Sequence, residues 1–280
     1  IPKGKDQNAP LPPNFATQFP QVKVSRGELP STLIPWDKWD FGPRLGIAYT
    51  ATPKTVVRAG YGIFYGGEEK QGGNPNWGEA VPFNATVKLD SVGDFTPNPF
   101  FTGGVAGGFP SDVFTLPAPV EFRSVYQDFR SSLVHKWNFA IQRELKGNNA
   151  LEVSYVGNHQ AHQLLQPDPN AAFDSPTPNL STNSRRPYPN IGNVQGTASF
   201  GYGNYHGMTA KLEKRFSSGL SYMMAYTFGH ALATSGTTLS GSSGFGNKDP
   251  RNLSLNYSSA AWDVRHSFVS NFLYDLPFGR

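Results

Sequence analysis

The 280-residue chain has no cysteine, which excludes both a disulfide framework and a thiolate zinc site. It has no apolar run approaching the roughly 18–20 residues of a membrane-spanning helix, so a helical membrane protein is excluded as well. Charge is sparse: Asp, Glu, Lys and Arg make up 16% of the chain. The 24 Lys and Arg residues are scattered and form none of the basic stripes that nucleic-acid binding uses. With aromatics at 14%, so little charge also argues against disorder. No export signal is visible. The chain begins at Ile1 and stops at Arg280 just after an extended segment, so it is expected to be an internal piece of a larger polypeptide.

What the chain does have is period-two patterning. In Leu220–Leu232, one side carries Leu220, Tyr222, Met224, Tyr226, Phe228 and His230, and the other Ser221, Met223, Ala225, Thr227 and Gly229. A long strand with rings on one side and small or polar residues on the other suits a transmembrane barrel, where about 9–11 tilted residues cross the hydrocarbon. The same alternation predicts strands near 43–51, 55–65, 133–145, 150–157, 204–216 and 262–275. Short turns around Pro53-Lys54, Lys146-Asn149 and Phe216-Gly219 alternate with long Gly/Pro/Asn-rich stretches over 66–132, 158–203 and 233–261. Residues 1–40 hold seven prolines, which break ladder hydrogen bonds; they read as a Pro-rich extracellular loop region, with 41–280 as a partial transmembrane barrel.

The expected fold is therefore all-β. It is an antiparallel up-and-down meander of about seven long strands, a segment of a large barrel with short periplasmic turns and long extracellular loops. The distribution of charge sets the orientation. Arg58, Lys136, Glu144, Glu152, Lys211, Glu213 and Arg215 all fall on the more polar side of their strands, and these are expected to face the lumen. A Lys or Arg at the bilayer midplane would cost roughly 2–4 kcal/mol. Arg143 and Lys214 break the pattern, but both adjoin short turns, where a long side chain can snorkel to water. The rival is a soluble sandwich or solenoid, whose strands run about five or six residues. Tyr61, Tyr65, Trp137, Tyr155, Tyr222, Tyr226 and Tyr274 recur on the apolar side, and their polar tips suit a membrane interface better than a dry core.

Several strings also resemble a known family. Phe41-Gly-Pro-Arg-Leu-Gly-Ile-Ala-Tyr49, Val57-Arg-Ala-Gly-Tyr-Gly-Ile-Phe-Tyr65, Trp137-Asn-Phe-Ala-Ile-Gln-Arg-Glu-Leu145 and Leu151-Glu-Val-Ser-Tyr-Val-Gly157 are similar to consecutive strands of Oar-like TonB-dependent receptors. So are Arg185-Arg-Pro-Tyr-Pro189, Asn204-Tyr-His-Gly-Met208, Lys211-Leu-Glu-Lys-Arg-Phe216, Asp263-Val-Arg-His-Ser-Phe268 and Tyr274-Asp-Leu-Pro-Phe-Gly279. The resemblance runs in order from about residue 31 to the end. It implies an outer-membrane protein with a carboxypeptidase-regulatory-like domain, a plug and a barrel of roughly 22 strands, of which this chain supplies roughly a third of the wall. It further implies contact with outer-membrane lipid, with the protein's own plug and, through the plug, with the TonB energy-coupling system, and uptake of an extracellular solute. No plug or coupling box is present in these residues.

Nothing in the sequence points to an enzyme or a cofactor. His159 and His162 stand three apart in a segment that reads as loop, without a third ligand nearby. Gly201-Tyr-Gly203 has no βαβ context for a dinucleotide. The serines of 231–243 form no Gly-x-Ser-x-Gly elbow. Glu144, Glu152 and Glu213 are read as balancing Lys136, Lys211 and Arg215, and the Arg185-Arg186 pair as solvated. Candidate ligand contacts are the loop aromatics Trp77, Phe83, Phe100, Phe101, Tyr188, Tyr202 and Phe245, since ring faces beside amides suit sugars, peptides or chelates. A passive porin, a surface adhesin and a secreted carbohydrate-binding β-protein remain alternatives.

Overall fold

The computed structural model describes residues 37–66, 120–177, 179–189, 191–234 and 251–279, with a few short pieces before residue 29 and Asp249. The strands are β1 (Arg44–Thr52), β2 (Thr55–Gly66), β3 (Val120–Val125), β4 (Ser132–Leu145), β5 (Asn149–Leu165), β6 (Ile191–Ser217), β7 (Leu220–Ala233), β8 (Ser258–Ser259) and β9 (His266–Tyr274). One four-residue helical turn, Phe15–Gln18, precedes them. The chain divides into two units. The first comprises Asp37–Glu69, Arg130–Leu165 and Ala198–Arg280; the second comprises Ile1–Trp36, Lys70–Phe129 and Gln166–Thr197.

The first unit is an antiparallel meander. β1 pairs with β2, β2 with β4, β4 with β5, β5 with β6, β6 with β7, and β7 with both β8 and β9. Two of its tight turns use left-handed backbone: Gly147 and Asn148 have φ of 72° and 60°, and Ser218 and Gly219 have 53° and 75°. Successive positive φ values match a hairpin turn to the right-handed strand twist, which is why Gly and Asn stand there. Neighbouring turns are also tied to one another. Glu144 N–H bonds Lys54 O, Arg215 N–H bonds Asn148 O, and Asp275 N–H bonds Gly219 O, at 2.8–3.0 Å. The short turns therefore line one end of the meander, and the long connections leave from the other. In the second unit β3 runs parallel to the start of β6, from Val120 opposite Ile191 to Val125 opposite Thr197.

Several element bounds differ from the sequence expectation. β5 continues to Leu165 rather than stopping at 157, and β6 begins at Ile191 rather than 204. Much of the stretch expected as a 158–203 loop is thus strand, crossed by a bulge where the pairing shifts between Gln160 and Gln163. His162 sits in that bulge with φ of 56°. The short strand β3 lies within what was expected to be loop. The last strand starts at His266, not Trp262, because Asp263 N–H closes a turn onto Ala260 O at 2.9 Å.

Among the described residues no second layer covers the meander's apolar side. Leu45, Ile47 and Tyr49 on β1 are 63–73% exposed, and Phe268 and Phe272 on β9 are 64% and 77% exposed. Buried hydrophobic residues are Leu164, Leu165, Ile191, Ala198, Ala231 and Ala260, none of them among the ring-bearing positions. A sandwich would bury those rings between two sheets; here they are open. Among the described residues β1 has the single strand partner β2, and β9 the single strand partner β7, so each leaves one edge without a ladder. In aqueous buffer without lipid or detergent, the chain is expected to self-associate through these edges and the apolar side. Sedimentation velocity would show large species, and a folded monomer would contradict this description.

Candidate functional site

Register decides which side chains share a face, because directly opposed residues in a ladder point the same way. Arg58 lies opposite Ala140, and Lys136 opposite Asn158. Glu144 lies opposite Ala150, Glu152 opposite Lys211, and Ala150 opposite Glu213. Following this parity along β6 brings Arg58, Lys136, Glu144, Glu152, Lys211, Glu213 and Arg215 to one face. The other face carries Tyr61, Trp137, Phe139, Tyr155, Met208, Tyr226, Phe228 and Phe268.

The polar face is laced by its own contacts. Lys211 Nζ is 3.2 Å from Glu213 Oε2, and Arg58 Nη1 donates to Gln142 Oε1 at 3.0 Å. Glu144 and Arg215 line one cleft of about 240 Å³ at the turn end, together with Lys54 and Asn149. Tyr205 folds over Gly207 and Gly229, which oppose one another across β6 and β7. A ring resting on paired glycines fills the gap that missing side chains leave. Among the described residues Lys136 meets no carboxylate. It stands with Arg44 over the Phe64 ring, Nζ at 5.3 Å and the guanidinium carbon at 4.6 Å from the centroid. Nothing in the sequence singled out Arg44 or Phe64.

The apolar face carries two adjacent rows of polar-tipped rings on the loop side. One reads Tyr61, Trp137, Gly157, His206, His230, and the next Ile63, His135, His159, Asn204. Three Tyr–His pairs span neighbouring strands: Tyr61 with His135 at 2.7 Å, Tyr155 with His206 at 2.6 Å, and Tyr226 with His266 at 2.7 Å. The Trp137 indole lies over Gly157. At the turn end, Tyr222 O–H donates to Asn149 Oδ1 at 2.7 Å. Tyr222 and His230 are eight residues apart on β7, about 27 Å along a strand and roughly 20 Å of height at a tilt near 40°. That compares with the apolar band of about 25 Å between the aromatic girdles of outer-membrane barrels.

At the loop end of the same unit, Asp263 organises its neighbours. Its side chain is 8% exposed. Oδ1 accepts Ala231 N–H at 2.7 Å, while Oδ2 accepts from His230 Nδ1 at 2.8 Å and Arg265 Nε at 3.2 Å. Arg265 Nη2 also donates to His230 Nε2 at 2.9 Å. A guanidinium has no acceptor, so this contact fixes the His230 proton on Nδ1. The Ala231 amide first, then His230 and Arg265, hold the Asp263 carboxyl below the usual carboxylate range.

The second unit has its own polar knot, built on Asp168, Asn170 and Arg186. Asn170 is 1% exposed. Its amide donates to the carbonyls of Tyr188, Ile191 and Gly192 and accepts from Tyr188 N–H. Arg186, read from sequence as solvated, is 10% exposed at its side chain. It reaches Asp168 Oδ2 at 3.4 Å, Asn170 O at 2.9 Å, Gly192 O at 3.3 Å and Asn193 Oδ1 at 2.6 Å. Arg185 donates to the Phe173 carbonyl, so the pair is structural. Desolvation first, then Asp128 and Asp168, push the Tyr126 hydroxyl pKa up.

Of the loop aromatics expected to contact a ligand, Trp77, Phe83, Phe100, Phe101 and Phe245 lie outside the described residues. Tyr188 is 47% exposed and is held at its backbone by Asn170. Tyr202 stacks on Tyr257 with centroids 5.1 Å apart. Tyr188 and Tyr202 fall in different units. His159 is in β5 rather than a loop, paired through Nδ1 with Asn204 Oδ1 at 2.7 Å. Among the described residues no group of three His, Asp or Glu side chains is placed to hold a metal.

A meander with one ionic and one ring-bearing face, short turns at one end and long excursions at the other, defines a barrel-wall protein of the outer-membrane type. Residues 4–280 match the family described as outer membrane beta barrel domain, and the chain belongs to that family. Its location is the outer membrane. No curated protein matches the sequence. Among solved structures it is similar to the FrpB iron transporter from Neisseria meningitidis (F3-3 variant), at 11% identity and TM-score 0.37, over 69% of this chain and 20% of that one. It is also similar to a chain of the FpvAI-pyocin S2 complex, at 12% identity and TM-score 0.42, over 85% and 21%. The siderophore receptor PirA from Pseudomonas aeruginosa gives 13% identity and TM-score 0.36, over 68% and 28%. The chain thus spans about a fifth to a quarter of these proteins, and likeness this distant says nothing of ligand.

Two outcomes test this geometry. Asp263 has a depressed carboxyl pKa, so its contribution is present above the ordinary carboxylate value of about 4 and is lost as pH falls through the lower folded-state value. The protection of the Ala231 amide against hydrogen exchange, relative to an unstructured amide at the same pH, should therefore fall on acidification below that range, and D263N should show the lower protection at neutral pH. In the second unit, a Cβ at Gly196 would meet Pro167 O at 2.5 Å, the same carbonyl that accepts Gly196 N–H at 2.8 Å. Gly196→Ala should therefore destabilise that unit by about 1–3 kcal/mol, measured by proteolysis of the 166–197 segment.

Proposed function

We propose that the chain is part of the barrel wall of an Oar-like TonB-dependent receptor, which binds an extracellular solute and passes it inward along the ionic face when a plug is remodelled. The segregation of the two faces carries this reading. The ring-bearing face meets lipid, the row of His, Tyr and Trp marks the outer interface, and Arg58, Lys136, Glu144, Glu152, Lys211, Glu213 and Arg215 line the lumen. The ordered strand strings that resemble Oar-like receptors support it, as does membership of the outer-membrane barrel family. Partners in this reading are outer-membrane lipid, the protein's own plug, the TonB system through that plug, and a solute first met by the long loops.

Binding and passage, not catalysis, are the proposed activity. The polar face supplies what passage requires. Lys211 is balanced locally by Glu213, and the exposed heads of Arg58 and Lys136 face the passage.

Two measurements test the reading. Met224→Arg places a cation mid-strand on the ring-bearing face and should cost about 2–4 kcal/mol of insertion, whereas Ala225→Arg, one residue along on the ionic face, should insert normally. Equal insertion of both variants into lipid vesicles would overturn the orientation. Separately, the full-length receptor should bind the periplasmic part of TonB, and a barrel that conducts ions freely without binding it would instead be a passive porin.

A further inference from the structure

One row across the ionic face runs Arg44, Gly62, Lys136, Asn158, Tyr205 and Ala231. At one end of the row two cations converge on a single ring. Phe64 lies back over Gly62, so the ring fills the notch between Arg44 on β1 and Lys136 on β4. No carboxylate among the described residues pairs with either cation, although Lys211, Arg186, Arg251 and Arg265 each find one. Two like charges brought to one ring leave a positive potential that water alone screens. Toward the other end of the row a cleft of about 160 Å³ is lined by Asn158, Gln160, Tyr205, Trp262 and the Asp263 carboxylate. Of the two cations only Lys136 neighbours this lining, through its ladder partner Asn158, so the anionic end of a solute is held away from Asp263.

We propose that Arg44 and Lys136, gathered around Phe64, form an anion-binding site for a carboxylate- or phosphate-bearing solute. The inference rests on the proposed reading that the ionic face lines the channel, and it names the chemistry of the solute recognised there. Arg44 supplies a planar fork suited to two oxygens of one anionic group, and Lys136 a point charge beside it. The missing Cβ of Gly62 lets the Phe64 ring lie down beside the two heads, so the anion meets each cation on the side away from the ring.

The test is calorimetric titration of the full-length receptor in detergent at low salt, with inorganic phosphate and citrate as anionic probes and glucose as the neutral comparator. Wild-type protein should bind at least one anion, with affinity falling as salt is raised. Arg44→Met with Lys136→Met should weaken that affinity about tenfold or more. Arg44→Lys, which keeps the charge but loses the fork, should bind between wild type and the double variant, and Lys54→Met at the turn end should match wild type. Heat-modifiable gel mobility reports that each variant is folded. Absence of anion binding by wild-type protein, or equal affinity in a folded double variant, overturns the site. TonB binding is scored independently, so loss of the anion site leaves the receptor reading standing, and loss of TonB binding leaves a measured anion site in a passive barrel.

Discussion

Desolvation of charge is the constraint on which the rest of this structure depends. An ion forced into hydrocarbon is costly, and a backbone amide left unpaired there is costly too. Long strands joined by ladder bonds answer the second demand, and a period of two then answers the first, because every second side chain can be ionic without touching lipid. Arg58, Lys136, Glu152 and Lys211 come from four strands, yet register brings them to one face. A one-residue slip in any pairing would turn a whole strand's charges over. The tight turns matter for this reason: Gly147-Asn148 and Ser218-Gly219 fix register at the point where each hairpin begins.

The rings carry the complementary part of the argument. Tyr, His and Trp are apolar in body and polar at the tip, and the Tyr61–His135, Tyr155–His206 and Tyr226–His266 pairs join tips across adjacent strands. Such pairing lets a ring lie against acyl chains while its polar atom keeps a partner. Elsewhere the rules change. Asp263 gathers an amide, an imidazole and a guanidinium, and Arg186 gathers carbonyls and a carboxylate. These are contacts of a protein surface with enough buried polarity to fix loop ends.

The alternation of β2, β4, β6 and β7 was readable because lipid and lumen impose opposite chemistry on successive residues. The upper parts of β5 and β6 were not. Asn158-His-Gln-Ala-His-Gln163 and Asn193-Val-Gln-Gly-Thr-Ala198 show no two-sided contrast, and a strand covered on both sides, as at Thr197, Ala198 and Ser199, leaves no alternation to follow. Trp262 misled in the other direction: its bulk continued the β9 pattern, while Asp263 was already committed to turning onto Ala260 and capping Ala231. The burial of Arg186 was invisible because its partners are mainly backbone carbonyls, which no residue identity announces. Arg44 and Phe64 were each readable as strand residues, but only register across three strands brings them to Lys136.

The orientation of the two faces is tested most directly by nitroxide labels placed singly along β7 and β6 of the full-length protein in lipid bilayers. Collision with oxygen, which concentrates in acyl chains, and with a water-soluble nickel chelate should alternate with a period of two. Labels at Met224, Tyr226 and Phe228 should favour oxygen, and those at Ala225, Thr227 and Lys211 the chelate. An unbroken aqueous profile at Tyr226 and Phe228, or oxygen preference at Lys211, would contradict the account.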